Sequence, residues 1–190
     1  MHNWRNEVDG WKYSTWAGCF MFSLPAGVDL VGVDLKNENL QGVNLAGRKI
    51  ENCNFDSANL AGVNLQKTVL KNCSFRGATL KGANLQVARI FNCDFREATI
   101  VNCDLSWVVM KETSFWAASI DGRFYDEYKD DNACNFYASE ISNSCFEGAR
   151  IKNIDFRFTS FRGGSFIGAT LKEVLFNSET LEQFHSEKKF

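Results

Sequence analysis

Apolar and polar positions follow one another along this chain with a period of five residues. Every fifth residue from Leu30 to Ile120 is Leu, Ile, Phe or Met. The position two places earlier holds Ala, Val, Thr or Cys at all steps but two, which carry Glu38 and Arg48. Side chains repeat about every 3.6 residues in a helix and every 2.0 in a strand, so neither element alone explains the pattern.

The five-residue unit predicts a short extended segment followed by a turn. Residues two apart in an extended segment point to the same face, so the small and the large apolar residue would both be buried. Gly, Asn and Asp recur between these pairs and suit turn conformations. One unit is too short to bury its own apolar face, which predicts a solenoid of stacked units.

A second period of twenty residues is superimposed on the first. Cys53-Asn54-Phe55 returns as Cys73-Ser74-Phe75, and Phe95 and Phe115 continue the series. Twenty residues are four units, which predicts a four-sided coil with these phenylalanines stacked in one buried column. Neighbouring coils should rise by the strand spacing of ~4.8 Å.

These units resemble a known family. Ala58-Asn59-Leu60, Val63-Asn64-Leu65 and Ala83-Asn84-Leu85 are similar to the A(D/N)LXX signature of pentapeptide-repeat proteins. The resemblance covers roughly residues 26–181 and implies an all-β fold, a right-handed quadrilateral β-helix of about seven to eight coils.

The resemblance also divides the chain into segments, which are an N-terminal cap (1–25), a repeat region (26–120), an irregular excursion (121–135), a continued repeat region (136–181) and a C-terminal cap or tail (182–190). Both caps are expected to be helical. At the N-terminus Trp4, Val8 and Trp11 have the spacing of an amphipathic helix.

The five-residue register breaks after Ile120 and resumes at Phe136, displaced by one residue. A coil of 21 residues would place Phe136 under Phe115, and we prefer this count because Cys134-Asn135-Phe136 repeats the Cys-x-Phe type. An 11-residue loop plus one side would instead place Phe136 under Leu105. Under either count the excursion is a recognition loop or a tolerated coil defect.

Composition excludes several classes of function. The 190 residues carry 21 basic and 23 acidic side chains, a net charge of −2 that favours neither direct nucleic-acid binding nor an acidic membrane surface. No apolar run is long enough to span a bilayer. Most of the seven cysteines occupy inner positions, which predicts free thiols and a cytoplasmic location.

Candidate chemistry is sparse. His2 and His185 lie at opposite ends of the chain, and no CxxC pair is present. The sequence therefore predicts no catalytic site, no metal and no cofactor. Stacked cysteines on one side are interpreted as core packing, whereas Cys145 occupies an outward position and is the candidate reactive thiol.

Large apolar residues at outward or turn positions predict a protein-binding surface, because aromatic residues are enriched in binding hot spots. The candidate partner-binding residues are Phe91, Trp107, Trp116, Phe124, Tyr125, Tyr128 and Tyr137. They fall on several sides of the coil, so they cannot all share one contact. The favoured function is a non-enzymatic scaffold that binds an unknown protein through these aromatics and the excursion.

The family resemblance implies a second function. Some pentapeptide-repeat proteins imitate duplex DNA and bind type II topoisomerases, which gives quinolone resistance or immunity to a toxin. That role needs a strongly negative surface, so the near-balanced charge disfavours it. The oligomeric state stays open, with an end-to-end dimer among the alternatives.

Overall fold

The stacked units form a parallel β-solenoid of about seven turns, as the sequence predicts. The computed structural model describes residues 12–16, 19–23, 28–122 and 134–186, with side chains for 28–122 and 134–182. Residues on one side of the solenoid pair with residues twenty positions away, as Ile50 does with Leu70 and Leu70 with Ile90. Each coil therefore has four five-residue sides.

The strands are short because each side of a coil offers only three extended residues before the next turn. They are β1 (Lys12–Trp16), β2 (Cys19–Ser23), β3 (Leu30–Val31), β4 (Lys49–Glu51), β5 (Val69–Lys71), β6 (Thr79–Lys81), β7 (Arg89–Phe91), β8 (Thr99–Val101), β9 (Val109–Lys111), β10 (Ser119–Asp121), β11 (Glu140–Ser142), β12 (Arg150–Lys152), β13 (Ser160–Arg162) and β14 (Thr170–Lys172). A helix, α1 (Ser178–Ser186), follows the last coil.

The four sides are numbered here in chain order around one coil. Side 1 pairs through isolated bridges such as Asn44 with Asn64. Side 2 is a seven-stranded parallel sheet in the order β3-β4-β5-β7-β9-β11-β13. Side 3 pairs through bridges such as Asn54 with Ser74. Side 4 holds the five-stranded parallel sheet β6-β8-β10-β12-β14.

The predicted phenylalanine column lies inside side 3. The ring centroids of Phe55 and Phe75 are 4.8 Å apart, those of Phe75 and Phe95 are 4.6 Å apart, and those of Phe95 and Phe115 are 5.0 Å apart. Planes of neighbouring rings differ by at most 6°. All four rings are buried, so this column forms one wall of the core.

The register across the excursion corrects the preferred count. The Leu105 backbone N–H donates to the Asn135 carbonyl at 2.9 Å, and Phe115 stacks on Phe146 at 4.8 Å. Phe136 therefore continues side 1 below Leu105, and its placement under Phe115 was wrong. A Cys-x-Phe triplet fits any side, because every side buries one small and one large residue, so its recurrence does not identify a side.

The bounds of the excursion also need correction. Asp121 belongs to β10, and the Gly122 N–H donates to the Lys152 carbonyl at 2.9 Å. On the far side, the Asn135 N–H donates to the Cys103 carbonyl at 3.2 Å. The coil thus continues through Gly122 and resumes at Cys134. The eleven residues between them, 123–133, lie outside the described residues.

The C-terminal boundary differs from the prediction by a few residues. The continued repeat region was expected to reach residue 181, but Leu181 lies in α1 and is 42% exposed. Thr180 is buried in its place and its hydroxyl donates to the Thr159 carbonyl at 3.1 Å. The helix therefore packs on the last coil, which confirms a helical C-terminal cap.

The N-terminal segment contains strands where a helix was expected. Lys12–Trp16 and Cys19–Ser23 pair as an antiparallel hairpin, with Lys12 opposite Ser23 and Trp16 opposite Cys19. The predicted helical residues Trp4, Val8 and Trp11 lie outside the described residues.

Candidate functional site

The structure brings two of the predicted aromatic residues together and separates two others. Trp107 and Tyr137 lie at the corner between sides 1 and 2, in neighbouring coils. Phe91 lies at the end of β7 on side 2, and Trp116 lies on side 3. The remaining candidates, Phe124, Tyr125 and Tyr128, fall outside the described residues.

An apolar ridge runs along this corner, parallel to the solenoid axis. The rings of Trp107 and Tyr137 meet edge to face with centroids 6.2 Å apart, and Tyr137 meets Phe158 in the same way at 5.3 Å. Val87 occupies the turn position one coil before Trp107 and is 43% exposed. We call Val87, Trp107, Tyr137 and Phe158 the corner ridge.

Three residues of the corner ridge sit in a backbone conformation that disfavours them. Val87, Trp107 and Phe158 have φ values of 61°, 60° and 60°. For β-branched and bulky residues this left-handed region is an outlier that stores strain. Elsewhere in the described coils the left-handed turn positions hold Gly, Asn, Ser, Lys, Glu or Ala. Large apolar residues at such positions are thus confined to one corner.

The ridge is also exposed, so burial of its side chains does not compensate for the backbone strain. Trp107 is 57% exposed and Phe158 is 58% exposed. Sequence reasoning identified Trp107 at its turn but missed Val87 and Phe158, because it did not compare every turn position for the lack of a turn-forming residue. The signal that would have found both is an apolar residue two places after the large inner residue of the unit, where the turn is left-handed.

Charge is segregated along the solenoid axis. Between Asp56 and Asp94 the sequence contains five basic residues and no acidic residue. Since the whole chain carries −2, the remaining residues together carry −7. The basic residues belong to the coils next to the ridge and are Lys67, Lys71, Arg76, Lys81 and Arg89.

Two of these cations interact with neighbouring side chains. The Arg89 guanidinium lies 5.4 Å from the centre of the Phe91 ring, a cation–π distance. Arg76 approaches Asp94 at 3.9 Å, but the closer partner of Asp94 is Arg96 at 2.5 Å. Burial works against the Asp94 carboxylate, yet the hydrogen bonds from Arg96 outweigh it and lower the pKa of Asp94 below its usual 3.8. The ion pairs with Arg76 and Arg96 thus neutralise Asp94, the first acidic residue that follows the basic coils in the sequence.

The cysteines do not form a chemical site among the described residues. Cys53, Cys73 and Cys93 are buried beside the phenylalanine column. Burial, with a contact to Cys103, raises the pKa of the Cys134 thiol. In residues 28–122 and 134–182 no three His, Cys, Asp or Glu side chains converge to hold a metal ion. Cys145 is half-buried at its outward position, and its reactivity stays a prediction.

In the part of the chain that the structure describes, no helix is both long and apolar enough to cross a bilayer.

Stacked five-residue sides, left-handed turns and twenty-residue ladders define a class of protein, the four-sided β-solenoids. A family model of pentapeptide repeats, comprising eight copies, matches residues 53–86, and the same unit continues in the structure on both sides of that range. Over these residues the chain is similar to pentapeptide-repeat proteins.

Three solved structures are similar to this chain. A trypsin-treated form of QnrB1, a plasmid-mediated fluoroquinolone resistance protein, is 21% identical, with a TM-score of 0.47 over 78% of this chain and 72% of that one. HetL, involved in heterocyst differentiation regulation in the cyanobacterium Nostoc sp. strain PCC 7120, is 14% identical, with a TM-score of 0.36 over 78% and 89%. Rfr23 from the cyanobacterium Cyanothece 51142 is 15% identical, with a TM-score of 0.36 over 78% and 88%.

No curated protein sequence is significantly similar to the chain. The structural likenesses are distant and give no function for it.

Proposed function

We propose that this protein is a non-enzymatic scaffold that binds a partner protein through the corner ridge. The observation that carries the proposal is the placement of Val87, Trp107 and Phe158, three large apolar residues, in left-handed turn positions of a single corner. Backbone strain of this kind persists where function requires it. Buried free thiols such as Cys73 support a reducing compartment, the cytoplasm.

The ridge has the chemistry of a binding hot spot. Trp and Tyr dominate such sites because they combine large apolar area with few rotatable bonds. The edge-to-face contacts of Tyr137 with Trp107 and Phe158 hold the three rings in place before binding. A pre-organised contact loses little conformational entropy when the partner docks. The projecting corner therefore suits insertion into an apolar cleft of a folded partner.

Contact with a type II topoisomerase through imitation of DNA is the second candidate and has less support. A DNA mimic presents carboxylates in place of phosphates, whereas residues 57–93 contribute five positive charges and no negative one. A gyrase supercoiling assay with and without a quinolone separates the two roles. Inhibition or protection at micromolar protein would favour topoisomerase binding, and no effect would leave the scaffold role.

Affinity capture from native lysate with matched variants tests the scaffold role. The double substitution Trp107→Asp and Phe158→Asp changes two exposed residues of the ridge, and Trp116→Asp changes a tryptophan of similar exposure, 47%, on side 3. Mass spectrometry should find a protein captured by the wild type and by the Trp116 variant, and at least about tenfold less with the ridge variant. Equal capture by all three would refute a role for the ridge.

A further inference from the structure

Strands β5, β7 and β9 present alternating basic and apolar side chains on the outer surface of side 2. Strand pairing aligns Val69 with Arg89 and Arg89 with Val109. In the next column Lys71 lies beside Phe91, and Phe91 beside Lys111. Basic and apolar residues thus alternate across the strands.

The same alternation runs along the first two rows, whereas Trp107 and Val109 in the third row are both apolar. In the first row the turn residue Lys67 is followed by Val69 and then Lys71 as outward positions. In the next row Val87 is followed by Arg89 and Phe91. We call the following outward side chains the checkerboard face, which lies beside the corner ridge: Lys67, Val69, Lys71, Arg89, Phe91, Val109 and Lys111. Its neighbours are ~4.8 Å apart across strands and ~6.6 Å apart along them.

No acidic side chain projects from this face, and most of its cations have no ion-pair partner. Among the described residues, the ion pairs include none formed by Lys67, Lys71 or Arg89. Lys111, at the edge, pairs with Glu112 at 3.2 Å. Lys67, Lys71 and Arg89 are exposed, whereas Val69, Phe91 and Val109 between them are half-buried. The face therefore offers positive charges separated by apolar contact area.

We propose that the checkerboard face binds an extended acidic segment of the partner protein in which carboxylates alternate with apolar residues. Side chains at i, i+2 and i+4 of an extended segment point to one side at ~6.6 Å intervals. An acidic, an apolar and an acidic residue at these positions match Lys67, Val69 and Lys71. The inference rests on the proposed partner-binding role. It specifies the chemistry of the partner segment that would lie beside the corner ridge.

Charge on the neighbouring coils favours a short acidic segment over a nucleic acid. The face spans only about two strand spacings, roughly 10 Å along the axis. A longer polyanion would run past it toward Glu51 and Asp56 on one side and Glu112 and Glu140 on the other. The remainder of the chain, at −7, would repel it. A short segment avoids these carboxylates.

NMR titration of the full-length protein tests the inference. The probe is the peptide SESVSES, added to millimolar concentration, and amide shifts are followed in the described strands. Control ligands are SKSVSKS, SESSSES, a 20-nucleotide oligothymidine and phosphatidylserine vesicles. The protein variants are Lys71→Glu with Arg89→Glu on the checkerboard face and, as a charge-matched control, Lys81→Glu with Lys152→Glu on side 4.

The expected result is that SESVSES shifts amides of β5, β7 and β9 and binds more tightly than SESSSES. Reversing Lys71 and Arg89 should weaken this binding by about tenfold, since exposed attractive pairs become repulsive. The side 4 control should leave it unchanged. The reversed protein should instead bind SKSVSKS, which shows that the variant is folded.

Several results would overturn the inference. They are no shift with SESVSES, equal weakening by the side 4 variant, equal affinity for SESSSES, and tighter binding of oligothymidine or vesicles at the same strands. None of these results bears on capture through Trp107 and Phe158, so the scaffold proposal fails or stands separately.

Discussion

Phe75 lies in the middle of a stack of aromatic rings that fills one wall of the core. Its ring centroid is 4.8 Å from that of Phe55 and 4.6 Å from that of Phe95, and its side chain is fully buried. Neighbouring coils are locked by backbone hydrogen bonds, so the stack cannot collapse to fill a gap. The large inner residue is therefore the most sensitive position of the repeat.

Phe75→Ala should reduce the free energy of unfolding by roughly 3–5 kcal/mol, because it leaves a cavity between two rings. Chemical denaturation measures this loss. Trp116→Ala is the control, since the exposed ring should contribute less than about 1 kcal/mol. Equal losses in the two variants would contradict an internal phenylalanine column.

Cys145 should be the first thiol to react among the cysteines of residues 28–122 and 134–182. It is half-buried, whereas Cys53, Cys73, Cys93, Cys103 and Cys134 are buried, and reagents reach an exposed thiol first. Timed alkylation of the native protein followed by peptide mass spectrometry gives the order. Modification of a buried cysteine ahead of Cys145 would show that the outward position does not control access.

At the scale of single elements, Gly122 is the point where the coil stops and the 123–133 segment leaves it. A Cβ atom there would collide with the Asn153 carbonyl oxygen and press on the Cys134 backbone. Gly122 also has no side-chain amide that could hydrogen-bond to the asparagine of a neighbouring coil at this corner. Asn72 donates to Asn52 at 3.1 Å on another corner, but the side-chain oxygen of Asn102, one coil before Gly122, is buried without a partner.

Gly122→Ala should therefore destabilise the protein more than Gly82→Ala. Gly82 has φ +67° with open space around its missing Cβ, so alanine there meets only backbone strain of about 1 kcal/mol. At Gly122 the backbone must move, which should cost about 2–4 kcal/mol. Thermal melts of both variants compare the two effects, and a smaller loss at Gly122 would contradict the close approach.

Deletion of residues 123–133 should leave the solenoid folded. The bridge of Asp104 with Asn135 and the stacking of Phe115 on Phe146 each span 31 residues, so removing eleven restores a twenty-residue coil. Circular dichroism and a cooperative melt measure the fold. Loss of the cooperative transition would mean that the segment is required for folding.

The same deletion tests the predicted recognition role of the segment. Partner capture by the deletion protein should fall, while the ridge and the checkerboard face remain in place. Unchanged capture would identify the segment as a tolerated insertion.

The sequence predicts most of the fold and only part of the candidate site. The inner positions are predictable because burial selects one small and one large residue at fixed spacing, as at Cys73 and Phe75. The side on which the chain resumes is not, since Cys134 and Phe136 fit every side equally. The cluster of basic residues around Arg89 can be read from the sequence, but the net charge of the whole chain conceals it. The edge-to-face contact of Trp107 with Tyr137 depends on the 31-residue register and so required the structure.

At the scale of the whole molecule, the coil length of twenty residues fixes which residues share a side. Deleting one complete coil, residues 63–82, should preserve every remaining ladder, so a cooperative melt is expected with a modest loss of stability. Deleting five residues, 78–82, turns all later sides by a quarter of a coil. Phe95 then no longer lies under Phe75, and the sheets of sides 2 and 4 are interrupted.

Thermal denaturation followed by circular dichroism compares these two deletions. The shorter deletion should be the more damaging one, because register and not chain length determines the packing. A greater loss of stability after the twenty-residue deletion would contradict a coil of four equal sides.

Each coil hydrogen-bonds only to the coil before and the coil after it, which has a consequence for how the protein opens. A stack of this kind loses coils from its ends first, and amide hydrogen exchange should therefore be slowest in the middle. Trp107 and Tyr137 of the corner ridge lie in that middle. The partner would thus meet a contact surface that stays assembled while the ends of the stack fray and re-form.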